Sequence, residues 1–340
     1  MGRKRRRAGK GEELMVEKAE FTSYYGRPVI KAPSWSARDI AGYFFLGGLA
    51  GAGSMLAAGA EATGRQGLAR TMRASSLLAI SGSTAALIHD LGRPRRFLNM
   101  LRVAKPTSPM SMGSWLLTGY GTVAGIGAGL DVVGRLPRVR AAATHASALL
   151  GAGVATYTAV LAADTAVPAW HGARRELPAL FAASAACAAS GAALLAAPPG
   201  QTGPARRLAL IGCAAELVAE RAMLRGLEDP VDETYQQGKA GRLMHAASLL
   251  SVAGAAAAPF AGRRWVAAPA GAALLAGSLC TRLGVFHAGI ASAEDPKYTV
   301  LPQRRRLDAA AAERKAQEER EQKEKREGRE GREERPQPAT

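Results

Sequence analysis

The chain has 340 residues, of which 48% are hydrophobic and 21% charged, and its formal net charge is +17. The charge is concentrated in the cluster Arg3–Arg7 and in the residues after Gln303. The remaining basic residues flank apolar stretches and form no stripe with interleaved aromatics. We therefore predict that the protein does not bind nucleic acid.

Residues 1–38 are predicted to form a polar N-terminal arm. Glu12, Glu13, Glu17 and Glu20 follow the basic cluster, so no apolar region of a cleavable signal is recognisable. The first helix is therefore predicted to act as the signal anchor. Pro28 and Pro33 preclude a long helix here, while the aromatic residues of the arm predict that it packs along the membrane face.

Residues 39–293 contain apolar stretches that can cross a bilayer, since about 20 helical residues span the hydrocarbon core. Stretches without Asp, Glu, Lys or Arg are residues 41–60, 111–130, 141–163, 177–205 and 243–262. Charged residues interrupt 71–91, 208–227 and 265–290. Counting the charged stretches as helices keeps the loops short. We therefore predict an all-α polytopic membrane bundle of about eight transmembrane helices in two four-helix bundles.

These predicted helices are rich in Ala and Gly, so each is only marginally apolar and must be stabilised by close packing. Two sets of glycines have the spacing that lets backbones approach: Gly47 with Gly51, and Gly121 with Gly125 and Gly129. A general Ala and Gly bias of the genome is the alternative explanation.

An even number of helices places both termini on one side of the membrane. The cluster Arg3–Arg7 predicts that this side is cytoplasmic and that the protein lies in the inner membrane of the cell. The loops on the two sides carry nearly equal numbers of Lys and Arg, so they do not decide the orientation. Residues 294–340 are rich in Ala, Glu, Arg and Lys, which predicts a solvated tail that is partly disordered and partly helical.

Cys187, Cys213 and Cys280 stand alone in apolar stretches and have no spacing that would hold zinc or an iron–sulfur cluster. We interpret them as core residues and predict no metal site. His89, His245 and His287 are expected near one membrane face, where two of them could ligate a haem, but spacing does not decide this.

Ionisable residues at membrane depth are costly and therefore are candidates for function. The candidates are Asp39, His89, Asp90, Glu216 and Glu220. Asp90 with Arg93 either caps the second helix, where Gly92 and Pro94 end it, or exchanges protons with water. Glu216 and Glu220 share one helix face, and either pair with Arg221 and Arg225 or relay protons.

Several motifs occur together in the first half of the chain. They are HDLGRP at 89–94, RFLNMLR at 96–102, KPTSPM at 105–110, YFFLGGLAG at 43–51, GSW at 113–115, Tyr157 with Thr158, and AVPAW at 166–170. This set resembles the polysulfide reductase membrane subunit (NrfD/PsrC) family. Beyond Trp170 only the number of helices fits.

The resemblance implies a membrane anchor that has no redox centre of its own, neither haem nor iron–sulfur cluster. Its partners would be a 4Fe-4S ferredoxin-like subunit and a molybdopterin catalytic subunit. It would bind a quinone or quinol, menaquinone or ubiquinone, through polar residues at the start of the first helix, here Asp39 and Tyr43, and through Tyr157. The family's better-known site has His in place of Tyr43 and Asn in place of Ile40.

The helix order agrees with this implied site. If odd helices leave the cytoplasm and even ones return, Tyr43 and Tyr157 lie at similar depth in one leaflet, and each hydroxyl can donate to a quinone or accept from a quinol. The alternative is that both are aromatic residues at the lipid interface.

The predicted function is thus a non-catalytic or quinone-reactive subunit that exchanges electrons between the quinone pool and a partner iron–sulfur subunit. Two alternatives remain open. Buried carboxylates and Gly-broken helices also fit a transporter or proton-translocating protein that works alone, although no inverted repeat is visible. A structural anchor whose quinone site has decayed would explain Ile40.

Overall fold

The computed structural model describes residues 29–93 and 95–333, with side chains up to residue 322. The cluster Arg3–Arg7, the acidic stretch 12–20, Pro28, Pro94 and residues 334–340 lie outside the described residues. The α-helices are α1 (Ala37–Ala62), α2 (Gln66–Asp90), α3 (Arg95–Met100), α4 (Pro109–Val133), α5 (Pro137–Ala163), α6 (Pro168–Gly172), α7 (Leu177–Ala196), α8 (Gly203–Gly226), α9 (Glu233–Gln236), α10 (Gly238–Ala257), α11 (Arg264–Glu294) and α12 (Lys297–Glu333).

The helix ends follow local sequence signals. The side chain of Ser36 caps α1 by accepting a hydrogen bond from Asp39 N at 3.4 Å. Ser108 caps α4 in the same way, and Pro109 begins it. Gly134 ends α4 in the left-handed conformation, at φ 68°, which glycine adopts without strain.

The predicted all-α polytopic class is confirmed, and the protein is a multi-pass membrane protein. Six helices among the described residues have the length and hydropathy needed to cross a membrane: α1, α4, α5, α7, α10 and α11. Two further helices within residues 39–293, α2 and α8, have 25 and 24 residues but carry more charge. The total of eight transmembrane helices stays a prediction.

The long helices pack as two groups of four. One group contains α1, α2, α4 and α5, the other contains α7, α8, α10 and α11, and α1 and α5 contact α7 between them. The connections 63–65, 134–136, 197–202 and 258–263 lie at one end, which we call the short-loop face. The arm 29–36, α3, α6 and α9 lie at the other end, which we call the arm face.

The predicted stretch 177–205 is not one helix. It ends as α7 at Ala196, and α8 begins at Gly203 after a 3-10 turn at Pro199–Gln201. The reason is local, because Pro198 and Pro199 lack the N–H groups that would continue the hydrogen bonds of α7.

Glycine contacts hold the bundles together at specific crossings. A Cβ atom on Gly51 of α1 would lie 2.3 Å from the carbonyl oxygen of Gly151 on α5, so no larger residue fits. Gly191 of α7 and Gly271 of α11 make the equivalent contact in the second bundle. The predicted series Gly121, Gly125 and Gly129 is wrong as a packing motif, because a Cβ on any of them would meet nothing within 4 Å.

A buried charge cluster joins all four helices of the first bundle near the short-loop face. Arg73 of α2 contacts Glu61 of α1 at 3.0 Å and forms two hydrogen bonds with Asp131 of α4. Arg140 of α5 contacts the same two carboxylates at 3.2 and 3.3 Å. Two positive and two negative charges therefore compensate each other, which is how a helix as charged as α2 packs here.

The charged tail forms helix α12, which begins beside the arm face. The Nζ atom of Lys297 lies 2.6 Å from Glu233, and Arg305 lies 2.9 Å from Asp229. These exposed ion pairs fix the start of Lys297–Glu333 to the loop between α8 and α10.

Candidate functional site

Tyr43 and Tyr157 meet near the arm face, as predicted from the helix order. Their hydroxyl groups share a hydrogen bond, and their rings pack edge to face with centroids 6.3 Å apart. Tyr43 lies six residues after the start of α1, and Tyr157 lies six residues before the end of α5. Both are therefore about 9 Å along their helices from the arm face. Tyr43 is 2% exposed and lies inside the protein, whereas Tyr157 is partly buried beside it.

Gly113 of α4 makes room for this pair. A Cβ atom at this position would lie 2.6 Å from Cε2 of Tyr157. The position belongs to the GSW motif, but the sequence alone did not indicate that its role is to accept the Tyr157 ring.

Both tyrosines line a small cavity of ≈ 60 Å³ that opens toward the arm face. The other residues in its wall include Ile40, Asp90, Ser114, Met100 and Met110. The wall is mainly apolar, and its polar groups are the two phenol hydroxyls, one carboxylate and one serine. This combination of an apolar wall and a few convergent polar groups is typical of a small-molecule site.

The described part of the N-terminal arm covers the cavity. Trp35 lines it and stacks on Trp170 of α6, with ring centroids 5.4 Å apart. The backbone N–H of Ser36 donates to the Asp90 carboxylate at 3.0 Å. The sequence did not identify Trp35 or Trp170 as site residues, because nothing in the spacing shows that they stack across 135 positions.

Asp39 and His89 form a second polar pair next to the cavity. The Nδ1 atom of His89 lies 2.9 Å from the Asp39 carboxylate, so α1 and α2 are joined at the arm face. The His89 side chain is 79% exposed, whereas that of Asp39 is 16% exposed. The pair thus connects the start of α1 to the aqueous side of the arm face.

The predicted cap formed by Asp90 and Arg93 is wrong. Asp90 binds the arm through Ser36. The end of α2 is instead closed by backbone hydrogen bonds from Leu91 N–H and Gly92 N–H to the carbonyls of Leu87 and His89. Arg93 is exposed and follows Gly92, which at φ 70° turns the chain away from the helix axis. That turn separates the Arg93 side chain from the carboxylate that was expected to pair with it.

Glu216 and Glu220 lie in the second bundle and do not line the tyrosine cavity. Glu216 is 4% exposed and accepts hydrogen bonds from Ser251 at 3.0 Å and Thr281 at 2.7 Å, while Glu220 accepts from Ser248 at 2.8 Å.

The predicted ion pairs of these glutamates with Arg221 and Arg225 are wrong. Both arginines are exposed, and neither forms a salt bridge with the two carboxylates among the described residues. At 100° per residue, Arg221 is rotated about 140° from Glu216, so the arginines emerge on another face of α8.

Arg282 of α11 is a buried cation that the sequence marked only as a charge in an apolar stretch. It is 0% exposed, its Nη2 donates to the Phe181 carbonyl at 2.7 Å, and its guanidinium lies 3.7 Å from the centroid of the Phe181 ring. A Cβ on Gly48 of α1 would lie 3.0 Å from the same guanidinium. Arg282 therefore occupies the contact between the two bundles.

Comparison with known families places this site in context. The family model described as polysulphide reductase, NrfD, matches residues 31–199. Through these residues the chain belongs to the NrfD family. No curated protein matches the chain.

The NrfD match begins in the arm and ends just after α7, so it includes Asp39, Tyr43, His89, Asp90 and Tyr157. Glu216, Glu220 and Arg282 lie beyond it. The chain is an NrfD-family membrane subunit, which is consistent with a membrane anchor of an oxidoreductase complex.

Proposed function

We propose that this NrfD-family subunit binds a quinone or quinol between Tyr43 and Tyr157 and exchanges electrons with a partner iron–sulfur subunit docked on the arm face. The observation that carries the proposal is the partly buried hydroxyl pair, which lines an apolar cavity inside the region matched to the family. A lipid-interface role explains it less well, because Tyr43 is buried in the bundle.

The two phenols suit the chemistry of a quinone ring. Each hydroxyl can donate a hydrogen bond to a quinone carbonyl or accept one from a quinol. Oxidation of a quinol releases two electrons and two protons, so a nearby acceptor must take the protons. Asp90 lies in the same cavity wall, and the Asp39 and His89 pair next to it reaches the aqueous face. We assign the proton exit to these three residues.

A ring enters this site only if side chains move. The cavity of ≈ 60 Å³ is well below the roughly 300–1,000 Å³ of typical ligand pockets. Met100 and Met110 form part of its wall, and methionine changes rotamer at low cost. We propose that they move aside to admit the ring, with Trp35 and the arm remaining as the cover.

Electrons then need an acceptor outside the site. On this proposal they pass to a 4Fe-4S ferredoxin-like subunit, which in turn contacts a molybdopterin catalytic subunit. The arm face supports such docking because it carries the longer connections and an open cleft of ≈ 630 Å³ lined by Arg174, Arg175 and Arg306. The complex would lie in the cell's inner membrane with both termini of this chain in the cytoplasm.

The test is purification of the tagged full chain from its own membranes in mild detergent, followed by identification of its partners and by optical and EPR spectra. We expect a ferredoxin-like protein whose iron–sulfur signals are reduced by added quinol, together with extractable quinone. A colourless single-chain preparation without bound quinone would contradict the proposal and favour a transporter.

The same preparation tests the tyrosines directly. Tyr157→Phe removes one hydroxyl of the pair and is expected to lower quinol-dependent cluster reduction by about 100-fold, as loss of a positioned proton-transfer group does. Tyr120→Phe is the matched control, because Tyr120 is also buried in the first bundle but binds Ser54 and the Ala50 carbonyl. Equal rates in the two variants would exclude a role for the Tyr43 and Tyr157 pair.

A further inference from the structure

A second, larger groove lies on the outside of the bundle, and Thr156, next to Tyr157 in sequence, lines its end nearer the arm face. Its volume is ≈ 610 Å³, and α1, α5, α7 and α8 form its walls. The walls are mostly Ala and aliphatic side chains, and the large apolar residues Met55 and Ile211 are 49% and 66% exposed there. The groove therefore opens toward the surroundings of the bundle, where the hydrocarbon of the bilayer lies.

The groove runs from the depth of the tyrosine pair, where Thr156 and Ala182 line it, to the short-loop face. Ala52 of α1 and Thr63, which follows α1, both line it, and these residues are eleven positions apart. At about 1.5 Å per residue the part of the groove beside α1 is roughly 16 Å long. Such a shape fits an extended hydrocarbon chain.

The end at the short-loop face is basic. Arg65 and Arg207 line it, and among the described residues neither side chain forms a hydrogen bond or salt bridge. Their neighbours differ in this respect. Arg206 donates to the Pro199 carbonyl at 3.1 Å, and Arg264 donates to the Leu195 carbonyl.

Two helices also begin at this end. Arg65 and Thr202 are the N-cap residues of α2 and α8, and neither side chain caps its helix. The Leu68 N–H of α2 donates a hydrogen bond to Oε1 of Gln201 at 3.0 Å, so α2 is partly capped. The positive ends of both helices add to the charge of the two arginines, which favours an anion.

We propose that this groove binds an anionic phospholipid, with one acyl chain along the Ala-lined wall and the phosphate between Arg65 and Arg207. The basic end distinguishes a phospholipid anion from the tail of a neutral quinone, whose ring site lies toward the opposite face. A lipid held here seals the contact between the two bundles, because α1 and α5 belong to one and α7 and α8 to the other.

The test is native mass spectrometry of the full chain, purified in mild detergent and incubated with equal amounts of phosphatidylglycerol and phosphatidylcholine. We expect the wild type to retain phosphatidylglycerol preferentially. Arg65→Gln with Arg207→Gln is expected to weaken that retention about tenfold or more. Arg135→Gln with Arg138→Gln changes the net charge equally on the same face and is expected to leave it unchanged.

A third variant tests the hydrocarbon part of the site. A Cβ on Gly59 meets nothing within 4 Å, so Gly59→Leu places an aliphatic side chain in the groove and is expected to abolish retention of the lipid. An unchanged circular-dichroism spectrum shows that each variant is folded.

Three outcomes would overturn the proposal. Equal retention of both lipids that is insensitive to Arg65 and Arg207 would mean that only bulk lipid fills the groove. If inorganic phosphate displaced phosphatidylglycerol and Gly59→Leu did not change its retention, the groove would be an anion site and not a lipid site. Loss of extractable quinone in Gly59→Leu, with phosphatidylglycerol retained, would assign the groove to the quinone tail.

Discussion

At the residue scale, the tyrosine site depends on the absence of a side chain at one position. The Tyr157 ring packs directly over the backbone of Gly113, and this contact leaves its hydroxyl beside that of Tyr43. Ser83 on α2 donates to the Tyr43 carbonyl at 3.0 Å and fixes that part of α1. Four helices, α1, α2, α4 and α5, therefore determine where the two hydroxyl groups meet.

This geometry makes Gly113→Ala a sharp test. The added methyl group would lie 2.6 Å from the Tyr157 ring, so the ring must move and the hydroxyl contact is lost. We expect a destabilisation of about 1–3 kcal/mol, as for overpacking, together with loss of quinol-dependent activity. Thermal unfolding and activity of the purified complex measure both.

Gly119→Ala on the same helix is the control. A Cβ there would lie 4.0 Å from the Leu150 side chain, which is an ordinary contact. If both alanine variants behaved alike, the position of the Tyr157 ring would not matter for activity.

At the element scale, the first bundle is held by a charge cluster with one residue from each helix. Arg73 and Arg140 compensate Glu61 and Asp131 inside the bundle. Buried charges are tolerated only when each has a partner of opposite sign, because removing one residue of the cluster leaves an uncompensated ion inside the bundle. The cluster lies at the opposite end of the bundle from the tyrosine pair, so its role is to hold the helices together.

Arg73→Leu is accordingly expected to cost about 3–5 kcal/mol, because Asp131 loses its main partner. Arg73→Leu combined with Asp131→Leu is expected to recover most of that loss, since Arg140 and Glu61 remain paired at 3.2 Å. Denaturant or thermal unfolding of the purified chain gives both values. A double variant less stable than the single one would show that the ion pair itself stabilises the bundle.

At the scale of the whole molecule, both bundles are built in the same direction. α1 and α7 each begin at the arm face, and the last helix of each bundle, α5 or α11, returns to it. The tyrosine cavity, the arm and the open cleft beside Arg174 lie at this face, whereas the charge cluster and the basic end of the proposed lipid groove lie at the short-loop face. The two ends of the protein therefore carry different roles.

Cysteine labelling tests this arrangement and the helix count together. In a cysteine-free background, Arg135→Cys and Phe260→Cys at the short-loop face are expected to react with an impermeant maleimide added outside the cell. Arg93→Cys at the arm face is expected to react only after the membrane is opened. Labelling of Arg93→Cys from outside would reverse the orientation, and labelling of Arg135→Cys and Phe260→Cys from different sides would mean that fewer than eight helices cross.

The sequence by itself determined the fold class and the proximity of the two tyrosines of the candidate site. Long apolar stretches require helices in a bilayer, because backbone groups have no water to bind there. The even succession of helices was enough to predict that Tyr43 and Tyr157 lie at one depth, and the hydroxyl contact confirms their proximity. The quinone role of the pair stays a prediction.

Only the tertiary structure decided which side chains pair. Asp90 binds the arm and not Arg93, Glu216 binds Ser251 and Thr281 and not an arginine, and Gly51 packs on Gly151 while Gly121 packs on nothing. Helical periodicity shows which residues share a face. It does not show which helix lies against that face, because partner choice depends on the rotation and crossing of helices that are distant in sequence.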